Sequence, residues 1–162
     1  MSRPIGKRTN IPKGLGRILH KNQSYLSKSG GILHVMLQLD KSAFVKFFQG
    51  MKTLRVYRVN DIPKGGVGAA EFHKRRSEII TVEKGSFKLL LEDLDGERKS
   101  VILTENTTFG VIRPYTFHTY IALNDKAGLH VLANTLYDRK DPRTHDTYSR
   151  EEFQRLQSIA RH

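Results

Sequence analysis

The sequence predicts an all-β domain, a closed antiparallel barrel of short strands ending in one helix. Three observations carry this. Short apolar segments recur at close intervals between residues 71 and 134, turn-forming residues separate them, and helical periodicity is confined to the tail. At 162 residues the chain fits a single domain. Closing so many short strands into a barrel removes the exposed edges they would otherwise leave.

The elements follow in order. Residues 1–27 are basic and broken by Pro4, Pro12, Gly14 and Gly16. They are expected as an N-terminal arm, with a short ordered segment around Leu15 to Leu19, ahead of a domain spanning 28–162. After Gly30 and Gly31 an apolar run at 32–39 has strand length. A second at 53–60 offers Leu54, Val56 and Val59 as wall or core residues. Residues 61–70 hold Pro63 and three glycines, which reads as a loop or a very irregular edge. Strands are expected at 71–73, 78–83, 86–92, 98–103, 109–113, 117–123 and 128–134. Lys84-Gly85, Asp95-Gly96, Pro114 and Asn124-Asp125 mark turns between them. In the tail, Phe153, Leu156 and Ile159 stand at helical spacing behind Ser149, with Glu151 and Glu152 in the first turn, the pattern of an N-capped helix.

Composition narrows the function classes. The absence of cysteine excludes disulfides, thiolate metal sites and a cysteine nucleophile. No apolar stretch approaches the ~18 residues that span a bilayer, and the basic start lacks the apolar block of a secretory signal, so a cytoplasmic protein is expected. Of the net charge of +12, seven basic residues and no acid lie in the first 39 positions; the remaining 21 basic residues face 16 acids. A basic arm is compatible with nucleic acid. However, no zinc-finger spacing, helix-turn-helix pattern or basic stripe interleaved with aromatics accompanies it, and a modestly positive body equally suits a small anionic ligand.

The pattern of most chemical weight runs from Gly65 through Glu71, His73 and Glu78 to Gly85. Residues two apart on a strand share a face, so Glu71 and His73 point the same way, and Glu78 and His118 can converge on them from other strands. Such a set permits a metal site, because imidazole and carboxylate ligate zinc, iron and manganese. It equally permits acid–base chemistry, because histidine titrates near neutrality. The spacing resembles the first motif of the cupins, whose His-x-His pair here begins with Glu71. A degenerate second motif follows between Gly110 and Asn124, with Pro114 and His118. The resemblance implies a double-stranded β-helix, or jelly roll.

A closer resemblance covers about residues 28 to 155. The stretch Arg55-Val-Tyr-Arg-Val-Asn-Asp-Ile-Pro-Lys-Gly65, continued by Glu71-Phe-His-Lys74, is similar to the sugar 3,4-ketoisomerase family, the WxcM-like cupin domain. So are Phe109-Gly-Val-Ile-Arg-Pro, Phe117-His118 and Val131-Leu-Ala-Asn with Tyr137-Asp138. Ala133-Asn134 and Tyr137-Asp138, with Asp141-Pro142-Arg143-Thr144, also resemble the C-terminal cupin of capsule-polysaccharide reductase/epimerases, in which the cupin can hold a metal. The family's arginine falls at Gly68, its glycine pair at Ala69 and Ala70, and its first histidine at Glu71.

The resemblance implies an isomerase that moves a carbonyl along a nucleotide-linked 4-keto-6-deoxy sugar through an enediol, in polysaccharide or deoxysugar biosynthesis. No cofactor is implied. His73 is implied as the main acid–base, and Glu71 as a second base or the group that orients the imidazole. Tyr57 would relay a proton or donate to the oxyanion, Arg55 would meet the diphosphate, and His118 and Tyr120 would contact the sugar. A homodimer is implied as well. Two other readings stay open: a non-catalytic cupin that binds a sugar nucleotide, and a metal-dependent cupin using Glu71, His73, Glu78 and His118.

Overall fold

Strand formation follows the alternation of buried and exposed positions. The computed structural model describes residues 18–20, 24–26, 32–34, 54–105 and 108–161. It contains β1 (Ile18–His20), β2 (Ser24–Leu26), β3 (Ile32–His34), β4 (Arg55–Ile62), β5 (Val67–Glu71), β6 (Glu78–Lys84), β7 (Ser86–Glu92), β8 (Arg98–Thr104), β9 (Thr108–Ile112), β10 (Phe117–Ala122), β11 (Ala127–Ala133) and the helix α1 (Arg150–Ala160). A five-stranded sheet has the order β1-β9-β6-β11-β4 and a four-stranded sheet the order β5-β10-β7-β8; β2 and β3 form a separate pair. All pairings are antiparallel.

The two larger sheets enclose one core. Ile80, Val82, Ile112, Leu129 and Val131 come from the five-stranded sheet, and Phe87, Leu89, Leu91, Leu103 and Ala122 from the four-stranded one. This is the jelly-roll barrel expected. The chain passes from one sheet to the other between β6 and β7 at a single residue, Gly85, whose φ of +79° favours glycine. α1 closes one end. Ser149 caps it, and Phe153 is fully buried against Phe72 and Phe117. Truncating a phenylalanine packed this way costs about 3–5 kcal/mol.

Two expectations need correction. The strand placed at 53–60 runs as β4, but Leu54 and Val56 are exposed, and the inward phase is Tyr57, Val59 and Ile62. A one-residue change of phase exchanges the two faces of a strand. Of the two alternatives for 61–70, the second half is the irregular edge: it forms β5, an edge strand of the four-stranded sheet. In α1, Ile159 is exposed and Gln157 is buried instead, donating to Glu92 Oε1 and to the Asp93 carbonyl. Within the 1–27 segment, β1 pairs with β9. Apart from β1 and β2, the 1–27 segment lies outside the described residues, as does the apolar run beyond His34.

β5 carries an irregularity at its inner end. Ala69 and Ala70 both have φ of 61°, and the β10 partner register shifts between His118 and Thr119, so β5 bulges there. The left-handed region costs an L-residue roughly 1–2 kcal/mol, whereas glycine enters it freely. Glycine also widens the unfolded ensemble by about 0.4–1 kcal/mol. Ala70 is exposed, so removing its methyl sacrifices little packing. We therefore expect Ala70→Gly to leave stability unchanged or raise it by up to about 1 kcal/mol in urea unfolding. An ordinary strand alanine would instead lose about 0.5–1 kcal/mol on the same change, and a loss of that size would contradict the reading.

Candidate active site

The polar site forms where the inward faces of β4, β5, β6 and β10 reach one end of the barrel. Along β6 the inward face reads Glu78, Ile80, Val82, so Glu78 stands directly above the apolar core. β10 brings His118 and Tyr120 inward, and β5 pairs Glu71 with His118 and Gly68 with Tyr120. β5 ends at Glu71, but the alternation continues beyond it. Phe72 turns into the cluster under α1, and His73 returns to the interior.

Glu78 is the centre of the arrangement. Its carboxylate, 3% exposed, lies 3.6 Å from His73 Nε2, 3.6 Å from His118 Nε2 and 3.5 Å from Arg76 Nη1. It also accepts a 3.2 Å hydrogen bond from the Tyr57 hydroxyl. Burial pushes this carboxyl up, but the His73 contact and the charges of His118, His73 and Arg76 outweigh it and hold the group down at about 2. Glu71 lies on the other side of His73, with Oε1 3.6 Å from the same Nε2, and its side chain is 27% exposed. Burial raises the Glu71 carboxyl, and the Glu78 charge adds to this; His73 and Arg76 oppose it only in part. Two carboxylates thus share one imidazole edge, one strongly acidic and interior, the other weaker and more accessible.

The imidazoles are oriented from behind. His73 Nδ1–H donates to the Asp146 carbonyl and His118 Nδ1–H to the Thr116 carbonyl, because a carbonyl can only accept. Both Nε2 atoms therefore face the carboxylates. Burial, with the His73 and Arg76 charges, brings His118 down to about 4 against the pull of Glu78, so this ring is neutral at neutral pH. Burial and Glu78 raise the Tyr57 phenol, and burial and Glu71 raise Tyr120, so both remain hydroxyl donors.

Arg55 lies at the rim rather than among the carboxylates. Its guanidinium carbon is 4.7 Å from the Tyr57 ring centroid and 5.2 Å from that of Tyr137. Tyr120 lies against the backbone of Gly68, where an added Cβ would fall 2.0 Å from the Tyr120 Cζ. No side chain fits at position 68 unless that ring moves. The structure thus brings Tyr57, Glu71, His73, Glu78 and His118 together, with Tyr120 beside Glu71 and Arg55 beyond Tyr57.

Sequence reading missed Arg76, Asp146 and Tyr137. Arg76 sits in the run Lys74-Arg75-Arg76, which reads as a solvated basic turn, yet its side chain is buried and donates from Nε to Thr135. Asp146 is fully buried in a tail with no regular periodicity. Glu78 was recognised by its spacing alone.

Among carboxylate and imidazole donors of the described residues, Glu71, His73 and His118 have ligand atoms within 4.8 Å of one another. His73 Nε2 is buried without a hydrogen-bond partner. That donor set fits a divalent cation such as zinc, iron or manganese. Among the described residues no helix is long and apolar enough to cross a membrane.

Comparison with known proteins bears on the fold and the family. A 3,4-ketoisomerase from Helicobacter canadensis superposes with a TM-score of 0.66 at 19% identity, over 88% of this chain and 97% of that one. QdtA, a sugar 3,4-ketoisomerase from Thermoanaerobacterium thermosaccharolyticum in complex with TDP, gives 0.64 at 20% identity, over 90% and 94%. The rmlC epimerase of Mycobacterium tuberculosis gives 0.60 at 13%, over 88% and 71%. No curated protein matches the chain. The family model described as "FdtA: WxcM-like, C-terminal" matches residues 26–153, and over that extent the chain belongs to the WxcM-like C-terminal family.

Proposed function

We propose that this protein is a sugar-nucleotide isomerase that converts a nucleotide-linked 4-keto-6-deoxy sugar to its 3-keto isomer through an enediol. The observation that carries the reading is the Glu71–His73–Glu78 arrangement, in which two carboxylates of unequal acidity flank one oriented imidazole. The names of the structural neighbours supply the substrate class, a TDP-sugar in those proteins.

The reaction moves a carbonyl by one carbon, with no net oxidation. A base takes the proton from C3, and the electrons form the C3–C4 double bond of an enediolate with the charge on O4. The hydroxyl proton passes from O3 to O4, and a proton is returned at C4 as the O3 electrons form the new carbonyl. Glu71 is the group that meets the sugar, because it is accessible while His73 is not, and its raised pKa makes it a better base than an ordinary carboxylate. His73 exchanges that proton from behind, drawn to the ionised Glu78. Tyr120, beside Glu71, donates to the developing oxyanion, and Tyr57 holds Glu78. Arg55 at the rim meets the diphosphate, and the net positive body attracts it. We place this activity in the cytoplasm, in deoxysugar or polysaccharide biosynthesis, with a small molecule rather than nucleic acid as ligand.

The test is turnover of a 4-keto-6-deoxy sugar nucleotide followed by NMR. Glu71→Gln and His73→Asn are expected to keep fold and nucleotide binding and to lose roughly 10²- to 10⁴-fold in turnover, the usual contribution of an acid–base group. Glu71 must be ionised to accept the C3 proton. The acid limb of kcat/KM therefore lies above the ordinary carboxylate value of 4.5, with activity rising as pH increases through it. Wild-type turnover in His73→Asn removes the mechanism; no turnover in the wild type, with nucleotide still bound, leaves a sugar-nucleotide-binding cupin.

The Glu71, His73 and His118 donor set favours a second reading, a metal-assisted enzyme. A cation there would polarise a substrate oxygen, and these three side chains would hold it. Metal analysis before and after chelation separates the two. The isomerase reading expects turnover to survive chelation; stoichiometric metal whose removal abolishes turnover, with restoration on re-addition, establishes the second.

We also infer a homodimer. The exposed Val56 on the outer face of edge strand β4, with exposed Leu54 just before it, offers apolar surface for a second copy. Light scattering at micromolar concentration is expected to give twice the chain mass of 18.6 kDa, and a monomer would refute it.

A further inference from the structure

The turn between His73 and Glu78 joins two of the site's residues and carries a third, Arg76, and one residue from a distant part of the chain holds it. Asp146, fully buried, accepts from three consecutive backbone amides: Lys74 N–H at 3.1 Å on Oδ1, and Arg75 and Arg76 N–H at 2.9 and 2.7 Å on Oδ2. The carbonyl of the same residue accepts from His73 Nδ1–H. On either side the backbone is tied down again, by the reciprocal Phe72–Tyr148 bonds of 3.1 and 3.0 Å and by Tyr115 N–H to the His73 carbonyl at 2.7 Å.

Amides converging on a carboxylate are charge-assisted donors, about twice as strong as neutral pairs. Inside a barrel end they are not screened by water. The carboxylate therefore fixes where the Asp146 main chain sits, and so where its carbonyl meets the imidazole. That contact decides which ring nitrogen carries a proton. Were Nδ1 bare, it would oppose the carbonyl lone pairs, and Nε2 would no longer be the nitrogen left to exchange a proton with Glu71 and Glu78. Arg76, the third of the three amides, also carries the guanidinium that steadies Glu78.

We propose that Asp146 is a positioning residue: its carboxylate gathers the 74–76 amides so that its carbonyl holds His73 protonated at Nδ1, with Nε2 presented to both carboxylates. Its effect on turnover rests on the isomerase reading; its effect on the ring does not. The experiment is long-range proton–nitrogen NMR of the full-length, 15N-labelled chain at neutral pH. The His73→Asn spectrum identifies the His73 ring signals, and circular dichroism checks the fold. In the wild type Nδ1 is expected to carry a proton that exchanges slowly with solvent. In Asp146→Ala, and to a lesser degree in Asp146→Asn, that proton is expected to exchange at least about tenfold faster and the ring shifts to average between tautomers. With the sugar nucleotide, kcat is expected to fall about 10- to 100-fold while KM stays within about threefold, the signature of misplacement rather than lost binding. If Asp146→Ala does not fold, Asp146→Asn decides the question alone. A folded variant with wild-type Hδ1 exchange and ring shifts overturns the proposal, whatever its turnover. If the wild type turns nothing over, the isomerase reading fails, and the ring signals still decide the role of Asp146.

Discussion

A carboxylate placed directly above an apolar core sets the terms for everything around it. Stripped of water, Glu78 would be costly by several kcal/mol unless opposite charge and hydrogen bonds surrounded it. Here His73, His118, Arg76 and Tyr57 do so, drawn from three separate stretches of chain. β6, which carries it, is a central strand bonded on both sides, to β9 and β11, so the carboxylate cannot drift towards solvent without breaking two ladders. The barrel thus fixes the charge, and the charge fixes the rings.

The contrast between the two carboxylates follows from that placement. Glu78 has nearby positive partners and is held ionised. Glu71 is less deeply buried but has fewer stabilising partners and an ionised neighbour, so its proton is held more tightly. Paired groups whose environments push their acidities apart are what an acid–base site requires. The same two groups, with His118, also make a donor set suited to a cation, because a base aimed inward and a metal ligand need the same lone pairs.

Local backbone chemistry shapes β5. Gly68 leaves room for the Tyr120 ring, which takes the space an arginine at that position would occupy. Ala69 and Ala70 follow in a left-handed conformation that glycine would adopt without strain. The bulge they form lies immediately before Glu71, at the shift in register opposite His118 and Thr119. β5 is therefore strained where it delivers the accessible carboxylate to the site.

Most of the barrel was legible in the amino-acid order, because strand signals are local. Alternation, the Lys84-Gly85 and Asp95-Gly96 turns and the Ser149 cap located β6 to β11 and α1 to within a residue or two. The Glu71, His73, Glu78 and His118 set was legible for the same reason, since residues two apart share a face and recognisable motif spacing supplied the rest. Tertiary structure alone decided which face of β4 turned inward, because Val56 and Tyr57 are equally good strand residues and only packing against β11 and the core distinguishes them. It alone buried Arg76, which its own neighbourhood marks as a surface charge, and it alone carried Asp146 across 70 residues of sequence to the amides of the 74–76 turn. Those contacts depend on separations that no local pattern encodes. They arise when the packed sheets bring the end of β5 and the C-terminal tail together, where every buried amide and carboxylate must find a partner.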